Sequence, residues 1–105
     1  MKIAVTSPNG KTIAGHAGKC PGFLVYETEG DKVVSKNRVK LEKTQVFSQF
    51  SGPLSENPEH PLNGIDIFIT QSSGGGLKNR LNRDNIQLLI TDSSDPDQVI
   101  EQLIN

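Results

Sequence analysis

Ile65-Asp66-Ile67-Phe68-Ile69-Thr70, Gln71-Ser72-Ser73-Gly74-Gly75-Gly76, Leu77-Lys78-Asn79-Arg80-Leu81-Asn82-Arg83 and, after Asp84-Asn85, Ile86-Gln87-Leu88-Leu89-Ile90-Thr91 form the stretch that decides the fold. Its first six residues make a nearly continuous apolar run, as expected for a strand buried on both faces. The glycine-rich segment reads as a loop, and Leu77 and Leu81, four apart, share one face of a helix. The last run reads as another buried-type strand. Strand, glycine loop, helix and strand make a β-α-β unit, which requires parallel strands and a right-handed crossover.

On the amino-terminal side, Lys2-Ile3-Ala4-Val5-Thr6-Ser7 is a short β-favouring run ended by Pro8-Asn9-Gly10. Phe23 to Glu29 and Lys32 to Leu41 are β-rich arms joined across Gly30-Asp31, the pattern of a hairpin. The second arm alternates in polarity and carries Lys32, Lys36, Arg38 and Lys40, which suits a wet face or a lysine-protected edge. On the carboxyl side, Ser94 or Asp95 serves as N-cap, Pro96 opens a helix, and Val99, Ile100, Leu103 and Ile104 form its apolar stripe. Between Glu42 and Leu62 periodicity fails, and Gly52-Pro53, Asn57-Pro58 and His60-Pro61 signal turns. Val46, Phe47 and Phe50 fit one helical turn over the core; a loop of this length in so small a domain is either mobile or functional.

The expectation is one α/β domain spanning 1-105, with a mixed sheet, covering helices and a long irregular loop at about 42-62. In such sheets ligands gather outside the carboxyl ends of the parallel strands. Here these are Ser7, Thr70-Gln71 and Thr91-Asp92, and the glycine-rich loops 15-22 and 72-76 follow two of them.

Composition narrows the ligand. Eleven basic and twelve acidic residues give a formal charge of -1, so no global field holds nucleic acid or an acidic membrane surface, and any anion site must be local. The single cysteine precludes an internal disulfide, and no long apolar run offers a membrane span or a signal-peptide core, so a cytoplasmic protein is expected.

Gly15-His16-Ala17-Gly18-Lys19-Cys20-Pro21-Gly22 sets an imidazole and the only thiol four residues apart. Both are soft or borderline metal ligands, and Lys19 attracts an anion and favours the thiolate. His60, the only other histidine, closes the long loop and joins His16 and Cys20 if that loop folds back over the sheet edge. Spacing alone favours a blander assignment, a buried thiol and a surface imidazole, because one His-x3-Cys with a distant histidine is far from a closed four-ligand pattern. Gly74, Gly75 and Gly76 before a helix have the physics of an anion cradle, with Lys78 and Arg80 adding charge. They equally well permit a tight turn. The loop is neither a Walker A sequence nor a dinucleotide fingerprint. Cys20 as an activated nucleophile is a rival, although His16 is a poor base without a third group to orient it. A partner-binding domain without a small ligand is another.

Taken in order, Met1-Lys2-Ile3-Ala4-Val5-Thr6, the 15-20 loop leading to Phe23-Leu24-Val25-Tyr26, His60-Pro61-Leu62-Asn63-Gly64-Ile65-Asp66 and Gly74-Gly75-Gly76-Leu77-Lys78-Asn79-Arg80-Leu81 resemble the dinitrogenase iron-molybdenum cofactor-binding family, the NifX, NafY and NifB C-terminal-like domains. His16 and Gly18 match that family's loop, Lys19 stands for its arginine, and Ala17 and Cys20 depart from it. The resemblance implies a ribonuclease-H-like three-layer fold with about five strands and no nuclease activity. It also implies a carrier, not a catalyst, for an anionic iron-sulfur or iron-molybdenum-type cluster, acting in cluster assembly or delivery with an assembly or acceptor protein. The ligands to expect are His16, Cys20 and His60 on the metal, with Lys19, Gly74, Gly75, Gly76, Lys78 and Arg80 on the anion side.

Overall fold

A computed structural model describes residues 1–49 and 54–104. Strands β1 (Lys2–Thr6), β2 (Gly22–Glu29), β3 (Lys32–Lys40), β4 (Ile67–Thr70) and β5 (Gln87–Ile90) form one sheet in the order β3-β2-β1-β4-β5. Helix α1 (Gly75–Arg83) lies between β4 and β5, and α2 (Pro96–Ile104) follows β5. β1 pairs antiparallel with β2 and parallel with β4, and β4 pairs parallel with β5. The expected hairpin and β-α-β unit thus flank β1 on opposite sides.

Alternation along the central strands sorts their side chains onto two faces. Ala4, Phe23, Val25 and Phe68 point to one core with Leu77 and Leu81 of α1. Ile3, Val5, Leu24, Tyr26, Ile67 and Ile69 point to the other, where Ile100 of α2 packs with Ile13. Two covered faces make the three-layer, ribonuclease-H-like arrangement.

The 42–62 segment performs a task that its missing periodicity did not reveal. α1 is only nine residues long. Val46, Phe47, Leu54 and Leu62 are buried in that core. Phe47 meets Phe68 and Phe23 edge to face, with ring centroids 5.2 and 6.4 Å apart. Emptying this position with Phe47→Ala would cost roughly 3 kcal/mol. Within the segment the regular structure is a 3-10 turn, Leu54–Glu56. Phe50 and the Gly52-Pro53 turn signal lie outside the described residues.

β3 is the lysine-bearing edge that its sequence suggests, with every residue exposed or half-exposed. β5 differs from expectation. Its apolar run reads as buried on both faces, yet it forms the opposite edge, with Gln87 exposed and Ile90 58% exposed. An edge strand has a neighbour on one side only, and pattern alone does not distinguish it from an interior strand. α1 also begins at Gly75, two residues before its first leucine.

Candidate functional site

The carboxyl ends of β1 and β4 are joined by hydroxyls. Thr6 Oγ1 donates to Thr70 Oγ1 at 3.1 Å, and Thr70 Oγ1 donates onward to the Ser72 carbonyl at 3.1 Å. Both threonines are fully buried, so each polar end of an apolar strand is satisfied within the protein. The loop after β1 turns back along this edge: the Ala14 N–H donates to the Thr6 carbonyl, and Gly15, at φ +92°, allows the turn. His16 then forms a parallel bridge with Ser72, and the Ala17 N–H donates to the Ser72 carbonyl at 2.9 Å. The two glycine-bearing loops are therefore stitched together, which gives Ser72 a positioning role that nothing in the sequence singled out. The available signal was a run of hydroxyl residues at the ends of the parallel strands.

His16 is exposed at the junction. The Gly18 N–H donates to its Nδ1 at 3.1 Å. A ring accepting at Nδ1 carries its proton on Nε2 in the neutral form, so this orientation offers an N–H donor outward. Ligation of a metal through Nε2 requires the proton to move to Nδ1 and the Gly18 contact to be given up. The His16 carbonyl accepts from the Lys19 and Cys20 N–H groups, closing the turn and leaving Lys19 exposed beside the imidazole.

Cys20 faces inward, 4% exposed, and its thiol donates to the Gly22 carbonyl at 3.1 Å. Burial raises its pKa, outweighing the opposing backbone hydrogen bonds from Gly22 and Ser7. It is held as a thiol, the inert state of a buried cysteine rather than a nucleophile or thiolate ligand. The close approach of β2's start to β1 fixes this geometry, since a Cβ on Gly22 would lie 2.6 Å from the Ser7 carbonyl oxygen.

His60 is placed elsewhere. Its Nε2 donates to the Gln45 carbonyl at 2.7 Å, its Nδ1 accepts from the Leu62 N–H at 3.1 Å, and its ring lies 5.8 Å from that of Phe47. The long loop folds over the core face and not over the sheet edge, so His60 fastens that loop. The proposed trio of His16, Cys20 and His60 is not brought together: among the described residues no three histidine, cysteine, aspartate or glutamate side chains are grouped to hold a metal ion. Arg80 is likewise committed, its Nη1 donating to the Phe47 carbonyl at 2.8 Å and its guanidinium lying over the Phe47 ring. Lys78 is exposed on α1.

The glycine loop supplies the other wall. Gly74 is the N-cap of α1 with an ordinary φ of -77°, no side chain caps the helix, and no acid lies in its first turn. A Cβ at Gly74 or Gly76 would meet nothing within 4 Å. Neither glycine is demanded by packing, and Gly74 is not demanded by backbone conformation either. What they provide is bare backbone at a helix start, where unpaired N–H groups and the helix dipole favour an anion.

A ribonuclease-H-like domain whose open sheet edge joins a histidine loop to an uncapped, glycine-lined helix start is the class that fold and site define. The sequence pattern of the dinitrogenase iron-molybdenum cofactor family matches residues 1–105, and the chain belongs to that family. No curated protein matches the sequence. Among solved structures it is similar to the crystal structure of PH0822, at 18% identity and a TM-score of 0.74 over 99% of this chain and 88% of that one. A candidate dinitrogenase from Methanocaldococcus jannaschii is similar at 15% identity and a TM-score of 0.73, over 99% and 88%. A candidate NifB protein from Thermotoga, assigned to the DUF35 family, is similar at 13% identity and a TM-score of 0.68, over 97% and 85%. Identities this low show the shared fold. Among the described residues no helix is long and apolar enough to cross a membrane.

Proposed function

We propose that this protein carries an anionic metal-sulfur cluster of the iron-sulfur or iron-molybdenum type, taken up as cargo where the His16 loop meets the start of α1. The observation that carries the reading is the His16–Ser72 bridge, which sets an exposed imidazole beside the uncapped Gly74-Gly75-Gly76 segment. His16 contacts the cluster, Lys19 supplies positive charge, and the glycine backbone N–H groups hold its anionic edge. Cys20 becomes a second ligand only if its turn opens, and Lys78 adds charge at longer range. A site with few direct ligands suits cargo that must be released. The reading assigns the protein to the cytoplasm, with a cluster-assembly or acceptor protein as partner and neither nucleic acid nor membrane. The buried, protonated state of Cys20 speaks against the rival thiol enzyme.

The test is anaerobic incubation of apo-protein with iron and sulfide, and separately with molybdate added, followed by desalting, visible absorbance and metal analysis. Wild type is expected to retain metal and sulfide in fixed ratio, and His16→Ala to retain far less. Equal retention by wild type and a His16→Ala/Gly76→Ala double variant refutes the site.

A further inference from the structure

Beside the His16 turn lies a groove of about 650 Å³ that shares Lys19 with the proposed cargo site and otherwise lies outside it. Lys19, Lys40 and Lys43 line it together with Pro21, Leu41 and Val46, and among the described residues no carboxylate lines it. Leu41 and Val46 are buried members of the α1-side core, so the floor of the groove is the place where that core reaches the surface. Among the described residues none of the three lysines has an ion-pair partner, the salt bridge found there being Lys36 to Asp97. The chain as a whole is slightly acidic, so three uncompensated cations around one groove are a local feature and not the overflow of a basic protein.

The groove and the cargo site are mechanically joined. The Ser48 N–H donates to the Gly18 carbonyl at 2.8 Å, and the Leu41 N–H donates to the Pro21 carbonyl at 2.6 Å. Lys19 belongs to both. Whatever settles in the groove therefore sits against the turn that presents His16.

We infer that this groove docks an acidic segment of the protein that donates or receives the cargo, with carboxylates facing Lys19, Lys40 and Lys43 and an apolar side chain on Leu41 and Val46. The inference rests on the carrier reading, for which it supplies the chemistry of the partner. Charge complementarity selects the occupant. Lysines are flexible point charges without a fixed fork, which suits steering and rim contacts better than the oriented grip of a small ligand. Thr44, Ser48 and Gln49 complete the lining with neutral hydrogen-bonding groups, which suit the polar backbone of an extended segment. An acidic segment beside the site also offers a reason for the chain to gather positive charge there while remaining acidic overall.

The experiment follows backbone amide shifts of isotope-labelled apo-protein on adding a twelve-residue peptide that alternates glutamate with leucine and phenylalanine. Polyglutamate of equal charge and anionic phosphatidylglycerol vesicles are the comparison probes. The peptide is expected to shift Leu41, Val46 and the 18–20 turn, more strongly at low salt, and to bind about tenfold more weakly to K40E/K43E. K40Q/K43Q, which only neutralises, should fall between. Cluster retention by both variants should equal that of wild type, because Lys40 and Lys43 are outside the cargo site. Polyglutamate binding as well as the amphipathic peptide, vesicles engaging the groove in its place, or K40E/K43E binding like wild type would each overturn the inference. A protein that retains cluster but ignores the peptide defeats the groove alone. One that binds the peptide but never retains cluster defeats the carrier reading and leaves the groove standing.

Discussion

The two helices are each nine residues long and each follows a parallel strand, yet their first turns are built in opposite ways. α2 is closed: the Asp95 carboxylate accepts the Gln98 N–H at 3.1 Å, Pro96 fills the first helical position, and Asp97 adds negative charge. Asp97 also receives the Tyr26 hydroxyl at 2.6 Å and pairs with Lys36 at 2.9 Å, tying the helix start to β2 and β3. α1 begins with glycines, no cap and no acid. A helix start without side-chain acceptors gives up stability that a neighbouring helix in the same chain secures. In the proposed carrier, the contrast makes α1 the end available to an external anion.

The most disruptive way to break this contrast is to give α1 the chemistry of α2. Gly74→Asp places a capping carboxylate where the backbone is already extended. It should raise stability by about 0.3 kcal/mol while cutting cluster retention about tenfold through like-charge repulsion. Parallel unfolding and metal-retention measurements check both signs, and a variant with undiminished retention would separate the glycine loop from the cargo. The converse change, Asp95→Ala, opens α2. It should lower stability by about 1 kcal/mol, or about 5 °C in Tm, and leave cluster retention as in wild type.

Gly76→Ala sharpens the comparison further. The added methyl enters open space, so thermal unfolding should show a gain of about 0.5–1 kcal/mol. Retention should nevertheless fall, because the methyl stands where the anion approaches. A stabilised variant with unchanged retention would return the glycines to a purely local role.

The smallest effect concerns the closed end and pH. Hydrogen bonds from Tyr26 and then Lys36 hold the Asp97 carboxyl below its ordinary value of 3.8. Its contribution is therefore present above that value and lost as pH falls through the lower, folded one. Burial first, and then the Asp97 carboxylate, pushes the Tyr26 hydroxyl well above 10.0, so its contribution is present below that pH and lost as pH rises beyond it. Urea midpoints of Asp97→Asn and wild type should differ at neutral pH and converge in acid, below the ordinary carboxylate range. The difference should be small, since the pair is largely exposed.

The β-α-β unit, the hairpin and the capped carboxyl-terminal helix were legible because each rests on local chemistry: apolar runs of strand length, Gly30-Asp31 and Asp95-Pro96. The resemblance that pointed to the family was also carried by local motifs. Ile86 to Thr91 reads as a buried-type strand because an edge strand and a buried one share the same short apolar pattern. The site was half legible. The residues around His16 and Gly74 stand out, whereas His60 and Arg80 read as ligands from residue type and motif, and their partners include the backbone carbonyls of Gln45 and Phe47.

By itself, then, the sequence determined the elements, their order and the absence of a global charge, since these follow from composition and from periodicity over a few residues. Only the tertiary structure decided that 42–62 is a core cover and that Cys20 faces inward. It likewise decided that His16 meets Ser72 and that three lysines separated in the chain share one groove. Each of these joins positions far apart in sequence, and such contacts are set by which faces must be buried together, a constraint that acts on the folded chain as a whole.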